Sequence, residues 1–192
     1  AFPDHGPREL ATIVWAWGKL QFRHEALSSL MYAHLPGRLH GFNAQDISNA
    51  LYGVGLLGVR DECLLKGFSE AVLERLSEFK GQELSNVLYA FGLLECKHDD
   101  VLEALCSRHL DLLPRLSEQE ISNSLHALGR LRFRHEGFLQ SASEVAQGRM
   151  HEFGPPGLAA LLHALAVLGV RRSGLLEAAC ARSLEVLAAF RA

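Results

Sequence analysis

The chain lacks the uninterrupted apolar run of about 20 residues that a membrane-spanning helix needs, so no membrane contact is expected. It is short of cysteine. Cys63, Cys96, Cys106 and Cys180 are the four present, and none forms a C-x-x-C pair, which removes the usual zinc-finger and redox motifs. It also lacks a basic excess: 19 Lys and Arg stand against 22 Asp and Glu, a formal net charge of −3. Bulk electrostatics therefore does not make it a nucleic-acid binder, although a local basic strip stays open. No phosphate-binding glycine loop and no H-E-x-x-H metal helix occurs, despite ten histidines. No Ser-His-Asp or Cys-His arrangement and no paired carboxylates in a cleft can be argued. The expectation is a binding protein, not an enzyme, with no catalytic residue, metal, cofactor or small-molecule substrate.

What is present is periodicity. Leu10, Ile47, Leu84, Ile121 and Leu158 are each followed by closely matching segments, for example Ile47-Ser-Asn-Ala-Leu-Tyr-Gly-Val-Gly and Leu84-Ser-Asn-Val-Leu-Tyr-Ala-Phe-Gly. The anchors at 10, 47, 84, 121 and 158 are separated by 37 at every step. A fixed step of this length is the mark of a repeat protein. The expected fold is an all-α solenoid of five 37-residue helix-turn-helix repeats. It forms one array over 1–192, with copies at about 5–41, 42–78, 79–115, 116–152 and 153–189. Phe190 stands where a sixth copy would begin (153 + 37 = 190), so further copies are expected beyond it.

Each copy reads as helix A, a turn and helix B. Gly6, Asn43, Lys80, Ser117 and Gly154 occupy the N-cap of helix A, with Pro7 and Pro155 next, where a missing N–H costs nothing. Glu9, Asp46, Glu83 and Glu120 stand third, and Ser117 with Glu120 makes a capping box. Phe42, Phe79, Leu116 and Phe153 precede the cap and can staple onto the first turn. At 100° per residue, the anchor, the residue four on and the residue seven on share the face that meets helix B. Gly18, Gly55, Gly92 and Gly129 recur on a flank. A mid-helix glycine costs roughly 1 kcal/mol against alanine, so the offset must be close stacking of neighbouring A helices.

The pattern F-x-x-Q-[DE]-[IL]-S-N-x-L-Y-[AG]-x-G-x-L, in Phe42–Leu57 and Phe79–Leu94, resembles helix A of octotricopeptide repeats. It is closer still to the heptatricopeptide repeats of RAP-domain-associated proteins. The resemblance covers nearly the whole chain, although no RAP domain is seen, and copies one and five carry Ala11-Thr12 and Ala159-Ala160 in place of Ser-Asn. It implies an organellar RNA-binding protein, in the mitochondrion or alternatively the plastid. The role would lie in RNA processing or stability, or as an rRNA-binding ribosomal component. The alternative is a protein–protein scaffold within a large complex.

Two columns carry the RNA expectation. Rings stand at Trp15, Tyr52, Tyr89, His126 and His163, and cations in the A–B turn at Arg23, Arg60, Lys97, Arg134 and Arg171. Rings stack on exposed bases and cations hold phosphates, so extended single-stranded RNA, or rRNA, could run along the array at about one base per copy. The competing reading of the cations is that each complements the C-terminal dipole of its own helix A. Beside the rings lie Arg8, Gln45, Gln82 and Gln119, then Thr12, Asn49, Asn86 and Asn123. These near-constant amides read either as base contacts or as a structural ladder between adjacent helices. Neighbouring proteins of a large assembly are the other partners expected.

Overall fold

A computed structural model describes residues 5–189, and among them the chain is all-α, with no strand. The helices are α1 (Pro7–Lys19), α2 (Glu25–His34), α3 (Ala44–Leu57), α4 (Glu62–Glu74) and α5 (Gly81–Leu94), then α6 (Asp99–Leu112), α7 (Glu118–Leu131), α8 (Glu136–Gly148), α9 (Pro155–Leu168) and α10 (Ser173–Ala189). Short 3-10 turns, such as Leu76–Glu78 and Met150–Glu152, lead from each even helix to the next odd one. Phe190, where a sixth copy was expected, lies outside the described residues.

Local chemistry explains where the odd helices start. Asn43 Oδ1 accepts from the Asp46 N–H at 2.9 Å, while the Asn43 N–H donates back to the Asp46 carboxylate at 3.3 Å. Glu9, Glu83 and Glu120 likewise accept from the cap N–H of Gly6, Lys80 and Ser117. The acid three residues in is therefore the shared part of the cap in α1, α3, α5 and α7, even where the cap residue has no suitable side chain, while α9 has Gly157 there and starts on Pro155 instead. Phe42, Phe79, Leu116 and Phe153 are buried as staples.

The ends are set by one left-handed residue per copy. Gln21, Gly58, Glu95, Arg132 and Gly169 all have positive φ, between 49° and 66°. Only two of the five are glycine. The Arg132 side chain makes no hydrogen bond or ion pair among the described residues, and its backbone N–H bond to the Gly129 carbonyl is open to glycine too, so Arg132→Gly relieves the strain without removing a contact. Thermal melting should show a gain of about 1 kcal/mol for this variant.

The odd helices pack in sequence, α1 on α3, α3 on α5, α5 on α7 and α7 on α9. The glycine flank is the reason. A Cβ built on Gly55, Gly92 or Gly129 would lie 3.1, 3.0 or 3.1 Å from the Cα of Ala90, Ala127 or Ala164. At Gly18 it would lie 2.6 Å from the Cα of Gly53. Backbones approach this closely only with hydrogen or methyl between them, and the tight packing that results offsets the propensity cost. The anchor, the residue four on and the residue seven on lie in the core, as the pattern requires. Ile47, Leu51 and Val54 are fully buried, and so are Leu84, Leu88 and Phe91.

A second row joins the copies on the even-helix side. Arg75 donates to the His40 carbonyl, Arg108 to Ser77, Arg149 to Leu116 and Arg182 to Phe153, at 2.7–3.3 Å. Each also pairs with the acid three residues on: Glu78, Asp111, Glu152 and Glu185. These cations are committed to the fold.

Candidate functional site

The Ser-Asn pair of the repeat divides between fold and surface. Ser48 Oγ donates to the Glu83 carbonyl at 3.3 Å and Ser85 Oγ to the Glu120 carbonyl at 3.1 Å, each reaching the next odd helix. The serines are the inter-helix ladder. The amides are not, which corrects the ladder reading. Gln45, Gln82 and Gln119 are exposed and Asn49, Asn86 and Asn123 half-buried. None of the six side chains makes a hydrogen bond among the described residues. They line a cleft of about 400 Å³ between α1, α3 and α5, continued by one of about 380 Å³ between α5 and α7. Consecutive residues on a helix point 100° apart, so one faces the neighbour and the next faces the cleft.

The ring column closes on itself. Tyr52 and Tyr89 have centroids 6.1 Å apart, Tyr89 and His126 6.1 Å, and His126 and His163 5.3 Å. A base sandwiched between two rings needs about 7 Å, two ordinary carbon contacts. One base inserted per copy, the geometry expected from the sequence, does not fit between these rings. Tyr52, Tyr89, His126 and His163 form a continuous row, half-buried at its first three rings and exposed at His163, with Trp15 exposed on α1. Lys19 Nζ sits 6.0 Å above the Tyr52 ring. Burial, then the neighbouring His163 and Arg130, push the His126 pKa down and favour its neutral, stacking form.

Three of the turn cations, Arg23, Arg60 and Arg134, reach the following copy. Arg23 Nη2 lies 3.2 Å from the position of a Cβ on Gly58, at the end of α3. Arg60 pairs with Glu95, the left-handed residue after α5, at 3.2 Å. Arg134 donates to the Leu168 carbonyl at the end of α9 and pairs with Glu136 at 2.9 Å. Among the described residues only Arg134 meets a helix-end carbonyl, and that helix belongs to the following copy, so the reading in which each cation complements its own helix A is not what the structure shows. Lys97 differs. The residue 35 positions on is Gly58 from Arg23, Glu95 from Arg60 and Gly169 from Arg134, but it is Arg132 from Lys97. Lys97 and Arg171 are exposed and have no ion pair among the described residues. The row is thus uneven: Arg60 and Arg134 serve the fold, while Lys97 and Arg171 remain open.

Sequence reasoning missed Arg130, whose Nε donates to the Gly92 carbonyl at 2.9 Å while Glu95 lies between it and Arg60. It also missed the even-side arginines, although an acid three residues after Arg75, Arg108, Arg149 and Arg182 was visible as a repeated spacing. No group of three or more potential metal ligands occurs among the described residues. No described helix is long and apolar enough to cross a membrane.

The sequence profile of the RNA-editing substrate-binding complex 6 protein, RESC6, matches residues 4–192. The chain belongs to the RESC6 family. This corrects the resemblance to octotricopeptide and heptatricopeptide repeats, families to which the match does not assign it. The physical reason is that the shared pattern is mostly packing: acid at the cap, serine rung, apolar face and small flank. Any helix pair stacked this closely meets the same demands. No curated protein matches the chain.

Proposed function

We propose that this chain is a non-enzymatic, RNA-contacting component of an RNA-editing substrate-binding complex, acting in the mitochondrion. The plastid and ribosomal alternatives are not carried forward. In this reading the five copies form one α-solenoid. The stepwise packing of α1, α3, α5, α7 and α9 supports it, with no extensive contact between α1 and α9 among the described residues. A single RNA strand crosses the odd-helix face. The amides of Gln45, Asn49, Gln82, Asn86, Gln119 and Asn123 meet its bases. The ring floor of Trp15, Tyr52, Tyr89, His126 and His163 lies beneath, and Lys97 and Arg171 hold phosphates. Arg23, Arg60 and Arg134 act chiefly by fixing adjacent copies. Neighbouring proteins of the complex take the ends, where Leu20 and Phe22 near α1 and Leu184 and Leu187 on α10 are exposed.

The observation that carries this reading is the unpartnered amide column. Side chains able to donate and accept, lining connected clefts and spent on no protein partner, suit recognition of polar base edges. Its test is charge without change of shape. The triple variant Gln82→Glu, Asn86→Asp, Asn123→Asp is isosteric and places three negative charges in the clefts. Its affinity for single-stranded RNA should fall at least tenfold, about 1.4 kcal/mol, with an unchanged melting temperature. Unaltered RNA affinity in the folded variant would remove the odd-helix face from the account.

A further inference from the structure

The residues that end α3, α5, α7 and α9 in the left-handed bend are Gly58, Glu95, Arg132 and Gly169. Three of them meet the turn cation of the copy before. Arg23 Nη2 lies 3.2 Å from a Cβ built on Gly58, Arg134 Nη1 lies 3.7 Å from one built on Gly169, and Arg60 pairs with Glu95. Glycine leaves the cation room, and glutamate neutralises it. The same register sets Lys97 against Arg132, a second cation.

No acid balances this pair among the described residues. Glu95 is spent on Arg60 and Arg130, and Glu136 on Arg134. Asp99 and Asp100 stand in the first turn of α6, where the helix dipole favours them, and pair with neither cation. Lys97 and Arg132 are both exposed, and Arg171 continues the open row one copy on. Arg132 also holds its bend at φ 49°, where glycine is the easier residue. Of the other non-glycine residues at this bend, Gln21 is uncharged and Glu95 holds two arginines. Arg132 carries a charge there that serves no neighbour among the described residues.

We infer that Lys97 and Arg132 form a phosphate anchor at the joint between copies three and four, an inference that rests on the RNA reading above and adds Arg132 to it. The ligand is the sugar-phosphate backbone of RNA. Two exposed cations from successive copies repel each other, and a phosphate between them replaces that repulsion with attraction to both. Arginine suits the task, since its planar fork meets two phosphate oxygens at once. The grip is uneven along the array. Arg23, Arg60 and Arg134 reach the following copy, so the backbone is held at Lys97, Arg132 and Arg171, in copies three to five. Contacts of this kind position the strand and carry no base preference.

The experiment measures, for the whole 192-residue chain, the affinity of a single-stranded oligouridine over a series of salt concentrations. Arg132→Gly should bind about fivefold more weakly and lower the slope of log affinity against log salt by roughly 0.7, the share of one phosphate contact on a single strand. The same variant should melt higher than the native chain, so weaker binding cannot come from lost folding. Lys97→Gln should lower the slope by the same amount. Lys66→Gln controls for bulk charge, because Lys66 is exposed on the even helix α4, and the slope should not change. An unchanged slope in either Arg132→Gly or Lys97→Gln overturns the anchor and leaves the RNA reading standing. An equal fall in Lys66→Gln assigns the effect to net charge and overturns the anchor as well. A lower melting temperature in Arg132→Gly would show the side chain serving the fold, with the same consequence. Failure of the native chain to bind the RNA overturns the RNA reading and the anchor with it.

Discussion

Lowering the pH from 7 to 4 should cost this fold about 3 kcal/mol through one side chain, His109. It is fully buried on α6, and burial pushes its pKa from 6.5 down to about 4. The backbone carbonyl of Leu105 and the charge of Glu120 act in the other direction and are outweighed. The Leu105 carbonyl lies 3.1 Å from Nδ1 and accepts its proton, which leaves Nε2 as an acceptor facing the Ser124 hydroxyl at 3.1 Å. Phe138 packs edge-on against the ring at 5.5 Å. The sign follows from which state binds the proton. Above the unfolded value of 6.5 both states are neutral and the group contributes nothing to pH dependence. Between 6.5 and 4 the unfolded chain takes up a proton that the folded chain refuses, so stability falls as pH falls. Each unit costs about 1.4 kcal/mol, and the loss is complete below the folded pKa. Denaturant unfolding of the native chain and of His109→Gln at several pH values isolates the effect, because the carboxylates titrate in both. The native chain should lose about 3 kcal/mol more than the variant across the window. Parallel profiles would show that the ring is solvated or already charged.

Gly53→Ala should destabilise the fold by about 2 kcal/mol, although alanine is the better helix former. A Cβ at 53 would lie 2.7 Å from the Val14 carbonyl carbon and 2.8 Å from the Trp15 nitrogen, and would also run into the Val14 carbonyl oxygen. These are backbone atoms of α1 and cannot rotate away. The two helices must separate, and overpacking of this kind costs up to about 3 kcal/mol, offset by about 1 kcal/mol of propensity. In a chain of this size the melting temperature should drop by about 4–8 °C. Gly148→Ala supplies the contrast, since nothing lies within 4 Å of a Cβ there and only the propensity gain remains. A Gly53→Ala variant as stable as the native chain would mean that α1 and α3 do not pack through glycine.

The columns that could be read in the sequence are those whose role is fixed inside one helix pair. The apolar face, the cap acid, the stapling aromatics and the small flank depend only on helical spacing, and they sit where that spacing puts them. What depended on the next copy could not be read. Ser48 and Asn49 are equivalent in a periodic pattern, and only the position of α5 makes one a rung and the other a cleft residue. The cations at Arg60 and Arg134 engage partners 34 or 35 residues on, which no window along one helix shows. The ring spacing followed from the approach that glycine permits, and it came out too short for a base to enter.

The central claim is that RNA lies across the odd helices, and photocrosslinking of single-stranded RNA to the chain, with mass-spectrometric mapping of the joined peptides, tests it most directly. The crosslinks should fall within α3, α5 and α7, on the peptides carrying Tyr52, Tyr89 and His126, with Lys97 beside them. Crosslinks confined to the even helices α4, α6 and α8, or no crosslinks from RNA that binds the chain, would contradict it.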